Sequence, residues 1–133
     1  MQVAFTSTTG ADVDEHFGTA SRFFVWEITP ESATLVRELP APRPVDDEED
    51  RIAARAAVLE GVAIVYTQAI GGPAAAKLVA RRIHPMKTQE PRPVADLVAQ
   101  LQAVLRGNPP PWLRKLLGTP RVRPVAESLD EAP

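Results

Sequence analysis

The chain opens by alternating apolar Val3 and Phe5 with Gln2, Ala4 and Thr6, which predicts a strand over "QVAFTST" that Gly10 and Asp12 break. "RFFVWEIT" is rich in aromatic and β-branched residues, and "ATLVREL" follows after the turn "PESA", so the pair predicts a hairpin and the chain begins with three antiparallel strands. "VAIVYT" is different in kind. It is a nearly unbroken apolar run bounded by turn signals, the pattern of a strand covered on both faces, and it is expected at the centre of the sheet. "IHPMKT" predicts a further short strand.

Between the strands the period changes to that of helices. "VDDEEDRIAARAAVLEG" gathers acids at its start and sets Ile52, Ala53, Ala56 and Leu59 on one face before Gly61 ends it. In "QAIGGPAAAKLVARR", Gly71 and Gly72 suit a tight turn, Pro73 the first helical position, and Arg81 and Arg82 the last turn. "PVADLVAQLQAVLRGN" puts Val94, Leu97, Val98, Leu101, Val104 and Leu105 on one stripe and stops at Gly107. "NPPPWLRKLLG" predicts one or two amphipathic turns carrying Trp112, Leu113 and Leu116. Residues 1–118 are therefore expected to form one domain, and 119–133, with little to bury, a mobile tail. The element order predicts an α/β fold: a ribonuclease H-like mixed sheet of five strands with flanking helices.

Composition narrows the function. A formal charge of −2 leaves no electrostatic footprint for nucleic acid. No apolar run approaches roughly 20 residues and the first residues do not resemble a signal peptide, so no membrane association and a cytoplasmic location are expected. Without cysteine the chain has no disulfide, no zinc ribbon and no thiolate-held cluster, so a metal ligand must come from His, Asp, Glu or the backbone. The prolines fall between elements and in the tail, where they punctuate the fold.

Chemistry concentrates in "DVDEHFG". His16 stands among Asp12, Asp14 and Glu15, a mixture that suits a divalent metal, a tuned imidazole or a solvated turn, and composition alone leaves all three open. Phe17 can anchor the loop and Gly18 permits close approach by a ligand. In "AIGGPAAAK" the helix start after Gly72 offers an anion site beyond a sheet strand, or simply a strand-to-helix turn; a nucleotide loop is excluded because the GxxxxGK[ST] pattern is absent and Lys77 lies inside the helix. His84, near Arg81, Arg82 and Lys87, is a packed residue or part of an anion field to which Arg22 can add. The strands "QVAFTST" and "VAIVYT" carry no acid, which removes a two-metal nuclease. Ser7, Ser21 and Ser32 lie in no nucleophile motif, and nothing assembles a credible triad.

Two blocks, "VDEHFGTASRFFVWEI" and "VYTQAIGGPAAAKLVARRIHPMKT", resemble the dinitrogenase iron-molybdenum cofactor biosynthesis family over residues 1 to about 106. "GNPPPWLRK" further resembles the NifX type within it rather than the domain fused to NifB. The resemblance implies a ribonuclease H-like carrier, not an enzyme, that transiently binds and transfers an iron-sulfur cofactor precursor, or the finished iron-molybdenum cofactor, among nitrogenase cofactor assembly proteins. It implies a histidine ligand in the HFG-type loop, here His16, with Phe17, Gly18, Arg22, Gly71, Gly72 and His84 as further cofactor-binding candidates. A cluster that brings its own sulfides needs no thiolate cage, and a loose grip favours release. Two alternatives remain: an adaptor docking on an assembly protein through Trp112, and a metal-dependent hydrolase using Asp12, Asp14 and His16.

Overall fold

A computed structural model describes residues 1–42 and 48–118. Its main sheet contains β1 (Gln2–Thr6), β3 (Arg22–Ile28), β4 (Ala33–Pro40), β5 (Ile64–Thr67) and β6 (His84–Lys87) in the order β4-β3-β1-β5-β6. β1 runs antiparallel to β3 and parallel to β5, and β5 runs parallel to β6. The mixed five-stranded sheet is thus ribonuclease H-like, as expected. Its middle strand is β1, however. "VAIVYT" supplies β5, an interior strand between β1 and β6, with all of Ile64–Thr67 buried.

Helices α1 (Glu48–Val58) and α2 (Gly72–Ala80) cover one face of the sheet, and α3 (Val94–Arg106) and α4 (Pro111–Gly118) the other. Ala4, Val25 and Val65 meet Ile52, Ala56, Leu59 and Leu78 on the first face. Val3, Phe5, Ile64 and Tyr66 meet Leu97, Val98, Leu101 and Leu113 on the second. The alternation along β1 therefore separates two cores, with Ala4 as buried as its neighbours. Each buried Leu, Ile, Val or Phe of these cores contributes roughly 1.5–3 kcal/mol.

Helix ends follow the sequence signals. Gly61 takes a left-handed φ of +89° just past α1, and the Gly107 N–H closes α3 on the carbonyls of Ala103 and Val104. The Pro-rich segment after α3 leads into an eight-residue α4, which the fully buried Leu113 anchors to the second core. Two elements carry no periodic signal at all: β2 (Asp12–Val13) pairs antiparallel with β7 (Arg92–Pro93), and the Val94 N–H donates to Ala11 O, tying the acidic loop to the start of α3. Among the described residues no helix is long and apolar enough to cross a membrane. The expected tail, 119–133, lies outside the described residues.

Candidate functional site

β1 and β5 end side by side at Thr6 and Thr67, both fully buried, and each then gives way to a loop. Open sheets bind ligands beyond such carboxyl ends. Thr6 Oγ1 and Thr67 Oγ1 lie 3.0 and 3.1 Å from the Glu15 carbonyl, which also accepts the Gln68 N–H at 2.9 Å. His16 bridges Ala69 in parallel fashion, and the Phe17 N–H donates to Ala69 O at 2.9 Å. The loop thereby continues the sheet.

The other side of the loop is pinned from below. Phe17 is fully buried, 5.7 Å from the Phe23 ring, and its carbonyl accepts from Nη1 of Arg55 at 2.8 Å. Arg55 is itself fully buried within α1, so this hydrogen bond serves both a carbonyl and a charge that burial would otherwise leave without water. The His16 carbonyl accepts the N–H groups of Thr19 and Ala20. Backbone groups on both sides of His16 are engaged, while its side chain stands exposed.

Two of the acids beside His16 in sequence, Asp14 and Glu15, hold the loop. Asp14 accepts from the N–H and Oγ1 of Thr8 at 2.9 and 2.7 Å, and Glu15 accepts the Ser21 N–H at 3.3 Å. Among the described residues no group of three His, Cys, Asp or Glu side chains is placed to hold a metal ion, which removes the geometry that a hydrolase using Asp12, Asp14 and His16 requires.

His16 faces an open cleft of about 400 Å³ that it lines with Gly18, Thr19, Arg51, Ala69, Ile70 and Gly71. Gly71 is the N-cap of α2, with an extended backbone (φ −75°, ψ 159°) and no side-chain cap. Gly71 and Gly72 make the strand-to-helix turn that the sequence suits, without a left-handed backbone: among the described glycines only Gly10 and Gly61 have positive φ. A side chain added at Gly72 would meet nothing within 4 Å. What this turn supplies is unpaired N–H groups at a helix start, with Pro73 contributing none.

Of the expected site residues, His16, Gly18 and Gly71 line the cleft and Phe17 anchors it from the core. Arg22 does not join them: it opens β3, pairs with Glu38 at 2.8 Å, and lies over Phe24 beside a separate cleft lined by Ser21, Glu38 and Pro40. His84 is farther away in kind. It begins β6 opposite Ile64, at the other end of the parallel strands, and stacks on Trp112 with ring centroids 4.0 Å apart. Burial lowers its pKa from the usual histidine value. Arg81 pairs with Glu60, and Arg81 and Arg82 follow the carboxyl end of α2, remote from its start. Lys87 is exposed at the end of β6 and does not line the cleft.

Sequence reasoning missed the two arginines of α1 and the two strand-end threonines. A signal was present for Arg55, which falls on the stripe of Ile52, Ala56 and Leu59: a cation inside an apolar stripe implies a buried acceptor. Arg51, one helical turn earlier, had no such signature.

With this geometry in view, the likenesses to known proteins are consistent. Residues 1–104 match a family described as dinitrogenase iron-molybdenum cofactor. The chain is 39% identical to NifX of Herbaspirillum seropedicae over 119 residues, covering 88% of this chain and 82% of that protein. It is 37% identical to NifX of Rhodobacter capsulatus over 125 residues, covering 90% and 79%. Against NifY of Azotobacter vinelandii the identity is 40% over 118 residues, covering 89% of this chain but 48% of NifY, so the chain spans about half the length of that relative. A solved structure titled "Crystal structure of PH0822" shares the fold, with a TM-score of 0.63 at 19% identity, covering 77% of this chain and 91% of that one. The chain belongs to the dinitrogenase iron-molybdenum cofactor family.

Proposed function

We propose that the protein is a nitrogenase accessory protein that binds an iron-sulfur precursor of the iron-molybdenum cofactor, or the finished cofactor, and passes it between cofactor assembly proteins. The observation that carries this reading is the exposed imidazole of His16, mounted on an immobilised backbone at the mouth of an open cleft. A neutral imidazole nitrogen is a good ligand for iron or molybdenum at the edge of a cluster. The N–H groups at the start of α2 are donors for cluster sulfides or attached carboxylates. A single protein ligand in an open cleft suits cargo that must leave again, and the protein's part is to bind, orient and release. Trp112, the anchor of an adaptor reading, is half-buried against the second core and stacked on His84, which favours packing within the chain.

The test is anaerobic incubation of the protein with the molybdenum-free precursor and with the isolated cofactor, followed by gel filtration and analysis for iron and molybdenum. Wild type and His84→Ala are expected to carry metal through the column and His16→Ala to lose most of it. Comigration of neither cluster with wild type would overturn the carrier reading.

A further inference from the structure

We infer that Arg51 and the start of α2 form an anion subsite in the His16 cleft, receiving an acceptor group of the cargo while His16 takes a metal. The inference rests on the carrier reading for its cargo, but its physical basis is the lining of the cleft. Among the described residues, Arg51 is the one lining residue with a permanent charge, and no carboxylate lines the cleft with it. The acids next to His16 in sequence are turned to local work, Asp14 on Thr8 and Glu15 on Ser21. The described side chains that line the cleft thus bring a positive charge and no carboxylate, although the sequence around His16 is acidic.

Arg51 also differs from the other arginines near the sheet in lining the His16 cleft. Arg22 is paired with Glu38 and Arg81 with Glu60, and Arg55 donates to Phe17 O beneath the loop. The Nε of Arg51 is shielded from water and has no hydrogen-bond partner. Native proteins seldom leave a shielded donor unmatched, and an acceptor delivered by a ligand is one way to satisfy it as the guanidinium turns. Arg51 and Arg55 are four residues apart and so share one face of α1. The same face thus fixes the loop through one arginine and presents a donor fork to the cleft through the other. Across from it, Gly71 starts α2, where the N–H groups and helix dipole favour negative charge.

The ligand class that follows is an anion with hydrogen-bond acceptors, either the sulfides of the cluster or an organic carboxylate carried on it. A guanidinium fork suits a planar carboxylate in two-point contact, and it also matches the spread negative charge of a metal sulfide.

Three ligands separate the possibilities when titrated anaerobically into wild type, Arg51→Met, Arg51→Lys and His16→Ala: isolated iron-molybdenum cofactor, tetrathiomolybdate and citrate. Arg51→Met is expected to weaken at least one small anion and the cofactor by about ten- to a hundredfold. It should also flatten the loss of affinity as salt rises from about 0.05 to about 0.3 M. Arg51→Lys, which keeps the charge and loses the fork, should fall between wild type and Arg51→Met. His16→Ala should lose cofactor yet retain the small anion. Preference for tetrathiomolybdate assigns the acceptor to sulfide, and preference for citrate assigns it to carboxylate. If all three ligands are indifferent to Arg51→Met in a protein with wild-type circular dichroism, the subsite is overturned while carriage through His16 stands. If wild type binds no cofactor but a small anion still depends on Arg51, carriage fails and the subsite remains.

Discussion

The two histidines stand at opposite ends of the parallel strands, each beside an open cleft, about 400 Å³ at His16 and about 410 Å³ at His84, and the chain treats them in opposite ways. Around His16 the backbone is immobilised and the ring is left exposed. At His84 the ring itself is consumed, stacked on Trp112 and partly withdrawn from water. A histidine that serves a ligand needs a fixed point of attachment and an open nitrogen. One that serves the core needs neighbours for its face. Sequence proximity to charge, which seemed to favour both, distinguishes neither.

The sharpest way to break the comparison is at adjacent positions. Phe17→Ala should lower stability by about 3–5 kcal/mol, because the ring is fully buried against Phe23. His16→Ala next to it should change stability by less than about 0.5 kcal/mol while removing cluster retention. Urea denaturation of both variants decides this, and a large loss in His16→Ala would return that residue to a structural role. At the other end, Trp112→Ala should cost about 2 kcal/mol, since the ring is only half-buried, and leave cluster retention unchanged.

A smaller effect concerns pH. Burial lowers the folded-state pKa of His84, so as pH falls below the unfolded value of about 6.5 the unfolded chain takes up a proton first. The stabilisation from the neutral ring is fully present above that pH and is lost progressively toward the lowered folded value. Melting temperatures of wild type between pH 7.5 and pH 5 should therefore fall slightly more than those of His84→Gln, with equal slopes counting against the burial of His84. Smallest of all, Gly72→Ala should shift stability by no more than about 0.5 kcal/mol, as the backbone there is not left-handed and a methyl group has open space. A marked destabilisation would show that the turn does require glycine.

Much of the fold was legible because burial has a period. The stripe from Val94 to Leu101, the unbroken run of β5 and the aromatic β3 each follow from which face must be dry. β1 was legible as a strand but not as the middle one, since its alternation with small Ala4 reads as a single buried face when both are buried. β2 and β7 have only two residues each, too few for any pattern, and exist because the fold brings them together. The cleft was half legible. His16, Phe17, Gly18 and Gly71 announced themselves by chemistry, but Arg22 and His84 were grouped with them by charge and ring type, properties that carry no address. Arg55 could have been found from its place on the apolar stripe of α1, whereas Arg51 had no such signal, and only the approach of α1 to the His16 loop places it at the cleft.

The staple of Thr6 and Thr67 on the Glu15 carbonyl bears on how a loaded carrier is recognised. With the loop fixed as an extension of the sheet, its ordering entropy is spent when the chain folds and little remains to be lost when cargo arrives. If the cleft carries cargo as proposed, loading should leave the shape of the protein almost unchanged. A receiving protein would then distinguish full from empty by touching the cluster itself, and the amide protons of Phe17 and Gln68 should exchange with solvent at the same slow rate in both states.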